Sequence, residues 1–409
     1  MRFLYTAAIH LYSLGVKTAA CFGHAKAKLW VEGRKATVPE PVEGPSDQWI
    51  WFHAASLGEF EQGRPVIEAL KREFPQYKIL LSFFSPSGYE IRKDYPLADE
   101  VLYLPSDTPE HAKAWVQRHH FVAAFFIKYE FWFNYMQALK EAGIPLFYIS
   151  LILKPDSYFF HWYGTWFRKQ LAAVTHFYVQ DETTAALLEK HDMNNITVCG
   201  DTRFDRVAAI AEQAKPFPEV ERFINGRKCF IAGSTWPPDE RLLAGFLPKL
   251  PDDYCLILAP HDISDNHIAQ IKAMFPDSQC YTELDAEKPT RILVVNTIGI
   301  LSQLYQYARF VYIGGGFGVN IHNIQEPVTF GCPVVFGSKY TSFKEAVDLV
   351  AVQGAFSIHD QADLDAILLR LMNDDAFRAQ ASQTCHDYLN AHVGATKCIV
   401  EGFKTVLFA

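Results

Sequence analysis

The residues able to do chemistry cluster in short turns that follow apolar runs. In His53-Ala54-Ala55-Ser56-Leu57-Gly58-Glu59 a carboxylate stands at the start of a helical pattern, one residue after a glycine. Gly58 lets backbone approach a ligand closely, and the first N–H groups of a helix have no partner inside it. On position alone Glu59 is either a site residue at the mouth of an interdomain cleft or a charge complementing the helix dipole. A second turn, Ile313-Gly314-Gly315-Gly316-Phe317-Gly318-Val319-Asn320-Ile321-His322-Asn323-Ile324-Gln325-Glu326-Pro327, carries three successive glycines. Such a run suggests close backbone approach to a phosphate or sugar, with Glu326 placed to accept both ribose hydroxyls. A tight turn between strand and helix is the alternative. It is neither a dinucleotide fingerprint nor a Walker A loop.

Smaller signals sit in similar places. Ser234 and Thr235, after one apolar run, are candidate phosphate donors or an ordinary helix cap, and His261 follows Ala259-Pro260 after another. Lys128 and Glu130 follow the most apolar run of all, which makes them an ion pair or site residues. The pair Asp363 and Asp365 begins an amphipathic pattern and reads as a cap rather than a metal site.

The elements that must position these turns are legible as alternation. Apolar runs at Trp49–Ala54, Lys78–Phe83, Glu100–Leu104, Phe121–Ile127, Leu146–Leu151, His176–Val179 and Ile196–Cys199 are separated by helical patterns. One is Phe60–Phe74, apolar at 60, 66, 67, 70 and 74. After the polar stretch Glu212–Glu221 the alternation resumes, with runs at Lys228–Ala232, Tyr254–Ala259, Arg291–Val295, Arg309–Ile313, Pro333–Phe336 and Ala355–Ser357. Repeated βα units predict parallel sheets with helices on both faces. A single open sheet of so many strands would be unusually large, so two α/β domains joined near residue 215 are expected.

Length and composition agree. The 409 residues suffice for two or three domains, and 49% hydrophobic with 21% charged residues excludes a disordered chain. Thirty-eight basic against 46 acidic residues give a net charge of −8, which argues against a general nucleic-acid binder. The eight cysteines lie far apart, several within apolar runs, and read as small buried residues of a reducing compartment rather than a disulfide framework. The first 40 residues reverse the balance: Arg2, Lys17, Lys26, Lys28, Arg34 and Lys35 stand against Glu32 and Glu40. Within them Phe3–Phe22 is mostly apolar, interrupted by His10 and Lys17. Its length permits a bilayer span, but the interior Lys17 and basic flank fit a helix lying in the lipid interface. A core helix and a signal peptide are the other readings.

The order HAASLGE, KYEFW, GDTRFD, GSTW, APH, NTIGIL, GGGFGVNIHNIQEP and GCPVVFG resembles the Kdo (3-deoxy-D-manno-octulosonic acid) transferases of lipopolysaccharide assembly over essentially the whole chain. The resemblance implies a GT-B fold, with two Rossmann-like doubly wound domains facing across a cleft. It implies a membrane-associating helix and basic flank at 1–35, an acceptor domain at 36–215, a CMP-sugar domain at 216–385 and a C-terminal segment, 386–409, packing back on the first domain. The activity implied is inverting transfer of Kdo from CMP-Kdo to a lipid A precursor, without metal or other cofactor, at the cytoplasmic face of the inner membrane. By the same resemblance Glu59 is the general base, with Glu130 and Lys128 beside it and Ser56 and Gly58 in the acceptor loop. His322, Asn323, Ile324, Gln325, Glu326 and Pro327 form the CMP-binding element. Pro260, His261, Ile298, Gly299, Ile300, Ser234, Thr235, Gly315 and Gly316 complete the donor set. Lys128 replaces an acid common in the family, His261 replaces an arginine, and Ser150-Leu151-Ile152-Leu153-Lys154 lacks another arginine of the pattern. The acceptor's phosphates would suit Arg2, Lys17, Lys26 and Lys28. The other readings are a GT-B transferase for a different nucleotide sugar and a non-catalytic sugar-nucleotide or lipid-binding protein.

Overall fold

The computed structural model describes residues 1–35, 47–285, 288 and 290–408. Pro39, Pro41, Pro45 and Glu40, and the expected boundary between 35 and 36, lie outside the described residues. The chain divides into two compact units, 1–205 with 394–409 and 206–393.

The first unit holds β1 (Gln48–Ala54), β2 (Lys78–Phe83), β3 (Glu100–Tyr103), β4 (His120–Ile127), β5 (Leu146–Leu151), β6 (His176–Val179) and β7 (Ile196–Val198). All pair in parallel in the order β3-β2-β1-β4-β5-β6-β7. Helices cover both faces, so β1, β4 and β5 are buried almost throughout and read as continuous apolar runs. The second unit holds β8 (Lys228–Thr235), β9 (Tyr254–Pro260), β10 (Gln279–Cys280), β11 (Ile292–Val294), β12 (Val311–Ile313), β13 (Val334–Gly337) and β14 (Ala355–Ile358). Their order is β10-β11-β9-β8-β12-β13-β14. Both sheets therefore reverse direction beside their first strand, at β1/β4 and at β8/β12. Doubly wound sheets bind ligands outside the carboxyl ends of strands at such a switch point.

The C-terminal return starts later than the expected 386. The helix Asp375–His392 belongs to the second unit, and only from Gly394 does the chain rejoin the first. The helix Ala395–Leu407 is capped there by Asp205, whose carboxylate accepts from the Gly394 and Thr396 N–H groups, and it buries Ile399, Val400 and Phe403. This return also corrects the cysteine reading. Cys398 forms a disulfide with Cys199, just beyond β7, and Cys21 is exposed; the other five are buried. A partner 199 positions away is invisible to a spacing rule.

At the amino end, α1 (Arg2–Cys21) and α2 (Ala25–Lys35) pack on the first unit. Among the described residues no helix is long and apolar enough to cross a membrane. α1 is amphipathic in an inverted sense: its inward face is partly polar, and its outward side carries large apolar residues beside the exposed His10, Lys17 and Thr18. Ser13 is buried against Ser106, the Tyr5 hydroxyl donates to Asp107, and Arg2 donates to Asn134, whose amide reaches Thr6. Outward stand Phe3 (82% exposed), Leu4 (62%), Leu11 (69%) and Leu14 (61%). α1 meets Phe84 beyond β2, Ser106 beyond β3, Phe133 beyond β4 and Trp166 beyond β5, so it lies along the carboxyl edge of the sheet. Arg34 is not part of a basic flank. It stacks on Trp30 at 3.8 Å and donates to the Leu104 and Phe84 carbonyls, and burial pushes its pKa down to about 9.

Candidate functional site

On the first unit, β1 delivers Ser56 to the cap of α3 (Leu57–Glu73), and Glu59 reaches back from the first turn. Its Oε2 accepts from the Ser56 backbone N–H at 3.0 Å and from the Ser56 hydroxyl at 3.3 Å, the acid's half of a capping box. Glu59 thus complements the helix start, as the plainer reading held. It is also a perturbed acid: burial above all, and the Glu130 charge next, push its pKa up to about 7, against the opposing pull of the Ser56 and Ala55 backbone and Lys128. A carboxylate titrating near neutrality at a switch point is the property a general base needs.

β4 supplies the other side of the same switch point. Glu130 is buried, and its Oε2 accepts from the Trp132 indole N–H at 2.8 Å and stands 3.2 Å from His53 Nε2. His53, fully buried at the end of β1, meets the Ser82 hydroxyl through Nδ1 at 2.8 Å. Lys128 takes a left-handed φ of 59° and lays its ammonium 5.6 Å from the Tyr129 ring. Glu59, Glu130, Lys128 and Ser56 are therefore brought together, with Gly58 exposed beside them. His53 and Trp132 complete the cluster; they appear in the motifs but carried no separate signal.

On the second unit the switch point is β8/β12. Asp239, in the first turn of the helix Pro237–Phe246, ties the two turns together. Its Oδ2 accepts from Trp236 N–H at 2.9 Å and Gly315 N–H at 3.0 Å, and its Oδ1 from the Tyr312 hydroxyl at 2.7 Å. Above these bonds Trp236, His261 and His322 form a stack: Trp236 to His261 centroids 4.6 Å, His261 to His322 4.5 Å. The Trp236 indole donates to His322 Nε2 at 2.8 Å, which requires that nitrogen unprotonated, and burial followed by His261 lowers the His322 pKa. Asn323 donates to Glu326 Oε1 at 3.3 Å, and burial raises the Glu326 pKa. Ser234, at φ 53°, lies at the same edge, while Ile298 (82% exposed) and Gly299 project beyond β11.

Several expected donor residues turn inward. Thr235 is 0% exposed and its hydroxyl donates to Glu240, so it holds the turn rather than a phosphate. Ile324 is a core residue, Ile300 packs partly against that core, and Pro260 is buried. Gln325 is buried, its amide directed to Glu345 at 3.3 Å. The glycine run meets a packing requirement of its own, as the tight-turn alternative held. A Cβ on Gly316 would stand 2.6 Å from the Gly337 nitrogen, and Gly315 has φ 94° with Asn320 O at 2.4 Å from its would-be Cβ. Among the described residues no group of three or more His, Cys, Asp or Glu is arranged to hold a metal ion. A cavity of about 780 Å³ on this unit opens at the amino ends of β8, β9 and β11, lined by Arg227 and Arg291, and contains none of these residues.

Comparison with known proteins gives the following. The family described as 3-Deoxy-D-manno-octulosonic-acid transferase (kdotransferase) matches residues 23–206. A 3-deoxy-D-manno-octulosonic acid transferase of Bordetella pertussis is 25% identical over 392 residues, covering 90% of this chain and 89% of that protein. One from Aquifex aeolicus is 25% identical over 332 residues, 79% of this chain and 86% of that protein. Among solved structures, UDP-GlcNAc 2-epimerase from Neisseria meningitidis bound to UDP-GlcNAc superposes with a TM-score of 0.63 at 13% identity, covering 88% of this chain and 100% of that one. That likeness establishes the fold: two Rossmann-like halves of GT-B type.

Proposed function

We infer that this chain, which belongs to the Kdo transferase family, is a glycosyltransferase that moves Kdo from CMP-Kdo to a lipid A precursor. The observation that carries the chemical step is Glu59, a carboxyl pushed up to about 7 at the first unit's switch point. Glu59 takes the proton of the acceptor hydroxyl as that oxygen bonds to the anomeric carbon of Kdo. The bond from that carbon to the CMP phosphate oxygen breaks with its electron pair, CMP leaves as the anion, and configuration inverts. His53 and Trp132 hold Glu130, whose charge helps keep the Glu59 carboxyl basic. On the second unit His261, His322, Ser234, Asn323 and Glu326 hold CMP, with Asp239 fixing the turns that carry them. The resemblance, rather than any feature of the structure, supports a reaction without metal or other cofactor.

The outward apolar face of α1 supports a lipid acceptor. Phe3, Leu4, Leu11 and Leu14 would lie in the bilayer interface, with Lys17, Lys26 and Lys28 near anionic headgroups at the cytoplasmic face of the inner membrane. α1 follows the carboxyl edge that also carries Glu59, so the edge meeting lipid is the edge meeting acceptor. The test is the full chain with CMP-Kdo and detergent-dispersed lipid A precursor, read by mass spectrometry. A product heavier by Kdo is expected, with CMP raising Tm and UDP not. No product, with UDP rather than CMP stabilising the protein, would overturn the assignment.

A further inference from the structure

The connection after β5 carries six ring side chains in succession: Tyr158, Phe159, Phe160, His161, Trp162 and Tyr163. It is rigidly built. Phe159 is fully buried 4.6 Å from Phe131, the Arg168 guanidinium donates to the Phe159 and His161 carbonyls, and a Cβ on Gly164 would stand 2.4 Å from the Tyr158 and Phe159 oxygens. Yet Trp162, in a 3-10 turn at its tip, is 90% exposed, and Tyr163 is 48% exposed. The reaction uses neither, and the core does not need them.

Their place explains them. The helix Thr165–Leu171 follows directly, and its Trp166 lies 6.0 Å from Tyr5 of α1, with Phe133 touching both rings at 5.1 and 5.4 Å. Trp162 therefore stands four residues before the side chain that meets Tyr5 of α1, in the connection that leaves the carboxyl end of β5. Trp and Tyr are the residue types that settle at the boundary of headgroups and acyl chains. A helix about 30 Å long resting on a membrane can still roll about its axis. A rigid second contact to one side stops the roll.

We propose that Trp162 and Tyr163 are a second membrane-insertion element, seated with the outward face of α1 in one anionic bilayer interface. The occupant is a bilayer because the adjoining exposed face carries Phe3, Leu4, Leu11 and Leu14 over several turns, bordered by His10, and is flanked by the exposed Lys17, Lys26 and Lys28. Two contacts on one rigid unit bind more tightly than either alone and fix how Glu59 is presented to the lipid surface. This inference rests on the reading of α1 as membrane-facing.

The experiment uses the full chain and vesicles of phosphatidylcholine with one quarter phosphatidylglycerol. Binding is measured by sedimentation and by quenching of tryptophan fluorescence with brominated acyl chains. Trp162→Ser should bind about tenfold more weakly, from the lost burial of one large aromatic side chain, and lose part of the quenching. Its Tm and its turnover on detergent-dispersed acceptor should stay at wild-type values. The double variant Leu11→Asp with Leu14→Asp reports on α1 separately. If Trp162→Ser binds and quenches like the wild type while the α1 variant loses binding, the second element is overturned and α1 stands. If the wild type does not bind these vesicles, both readings fall.

Discussion

Substituting Glu59 by Gln separates the proposed catalytic base from a helix cap, because the structure shows the cap and the proposed reaction adds the base. Gln retains the capping geometry, since its amide oxygen can still accept from the Ser56 N–H at position N3. What it loses is the proton-accepting charge. In the folded chain the Glu59 pKa is raised from 4.5 to about 7, so folding favours the neutral carboxyl. The sign follows. Stability held while the carboxyl is protonated, below the unfolded pKa, is lost as pH rises through the folded pKa. At about 1.36 kcal/mol per pH unit the ceiling of that loss is about 3 kcal/mol. Glu59 is partly open to solvent and sits at a helix start, and screening reduces the loss to about 1 kcal/mol. Glu59→Gln should therefore raise the Tm of the first unit by about 2–4 °C at pH 8, and leave it unchanged near pH 4. Turnover should fall by at least about a hundredfold. The wild-type rate should climb about tenfold per pH unit below 7 and level off above it. Thermal scans and initial rates at both pH values decide the matter. Near-normal turnover in a variant whose Tm drops at pH 8 would leave Glu59 as a cap alone.

Other outcomes follow from the second unit and from α1. Glu326→Ala removes a carboxylate assigned to the ribose and should weaken CMP binding by calorimetry about ten- to hundredfold, for the loss of about 1.5–3 kcal/mol; unchanged affinity removes it from the site. Asp239→Asn replaces an acceptor of three hydrogen bonds and should cost about 1–3 kcal/mol in the second unit's thermal transition, with CMP affinity falling alongside. An unchanged transition would show that the two turns hold without it. Leu11→Asp with Leu14→Asp should abolish sedimentation with anionic vesicles at constant Tm, because both side chains are mostly exposed; retained sedimentation places the membrane contact elsewhere.

The strands were legible because a parallel sheet buried on both faces imposes uninterrupted apolar runs. Lys78–Phe83, Leu146–Leu151 and His176–Val179 were read to the residue. β10 was missed because two residues, Gln279–Cys280, carry no period. What stayed hidden depends on long-range contact. α1 is apolar nearly all round, so the sequence does not show which face turns inward; Asn134, Asp107 and Ser106 decide it by bonding Arg2, Tyr5 and Ser13. Thr235 and Gln325 have the right types and neighbourhood for ligand contact, but Glu240 and Glu345, distant from motif logic, draw them inward. The glycine run signalled close approach, and the structure adds a group the sequence does not show, the chain's own backbone at Gly337.

The two sheets share a strand order, and each places its distinctive side chains beside its first strand, yet by different means. The first unit gathers acids around a buried imidazole, so that Glu130 and desolvation make Glu59 a stronger base. The second gathers aromatic and imidazole rings over a buried carboxylate, so that Asp239 holds the turns and leaves stacking surfaces outward. A fold shared with a 2-epimerase at 13% identity does not distinguish these chemistries. The distinction lies in which groups the switch points expose. A proton acceptor tuned near neutrality on one unit and a ring stack with Asn323 and Glu326 on the other suit abstraction of a hydroxyl proton and retention of a nucleotide. The large apolar side chains that α1 turns outward, Phe3, Leu4, Leu11 and Leu14, lie on a helix that follows the same carboxyl edge as Glu59.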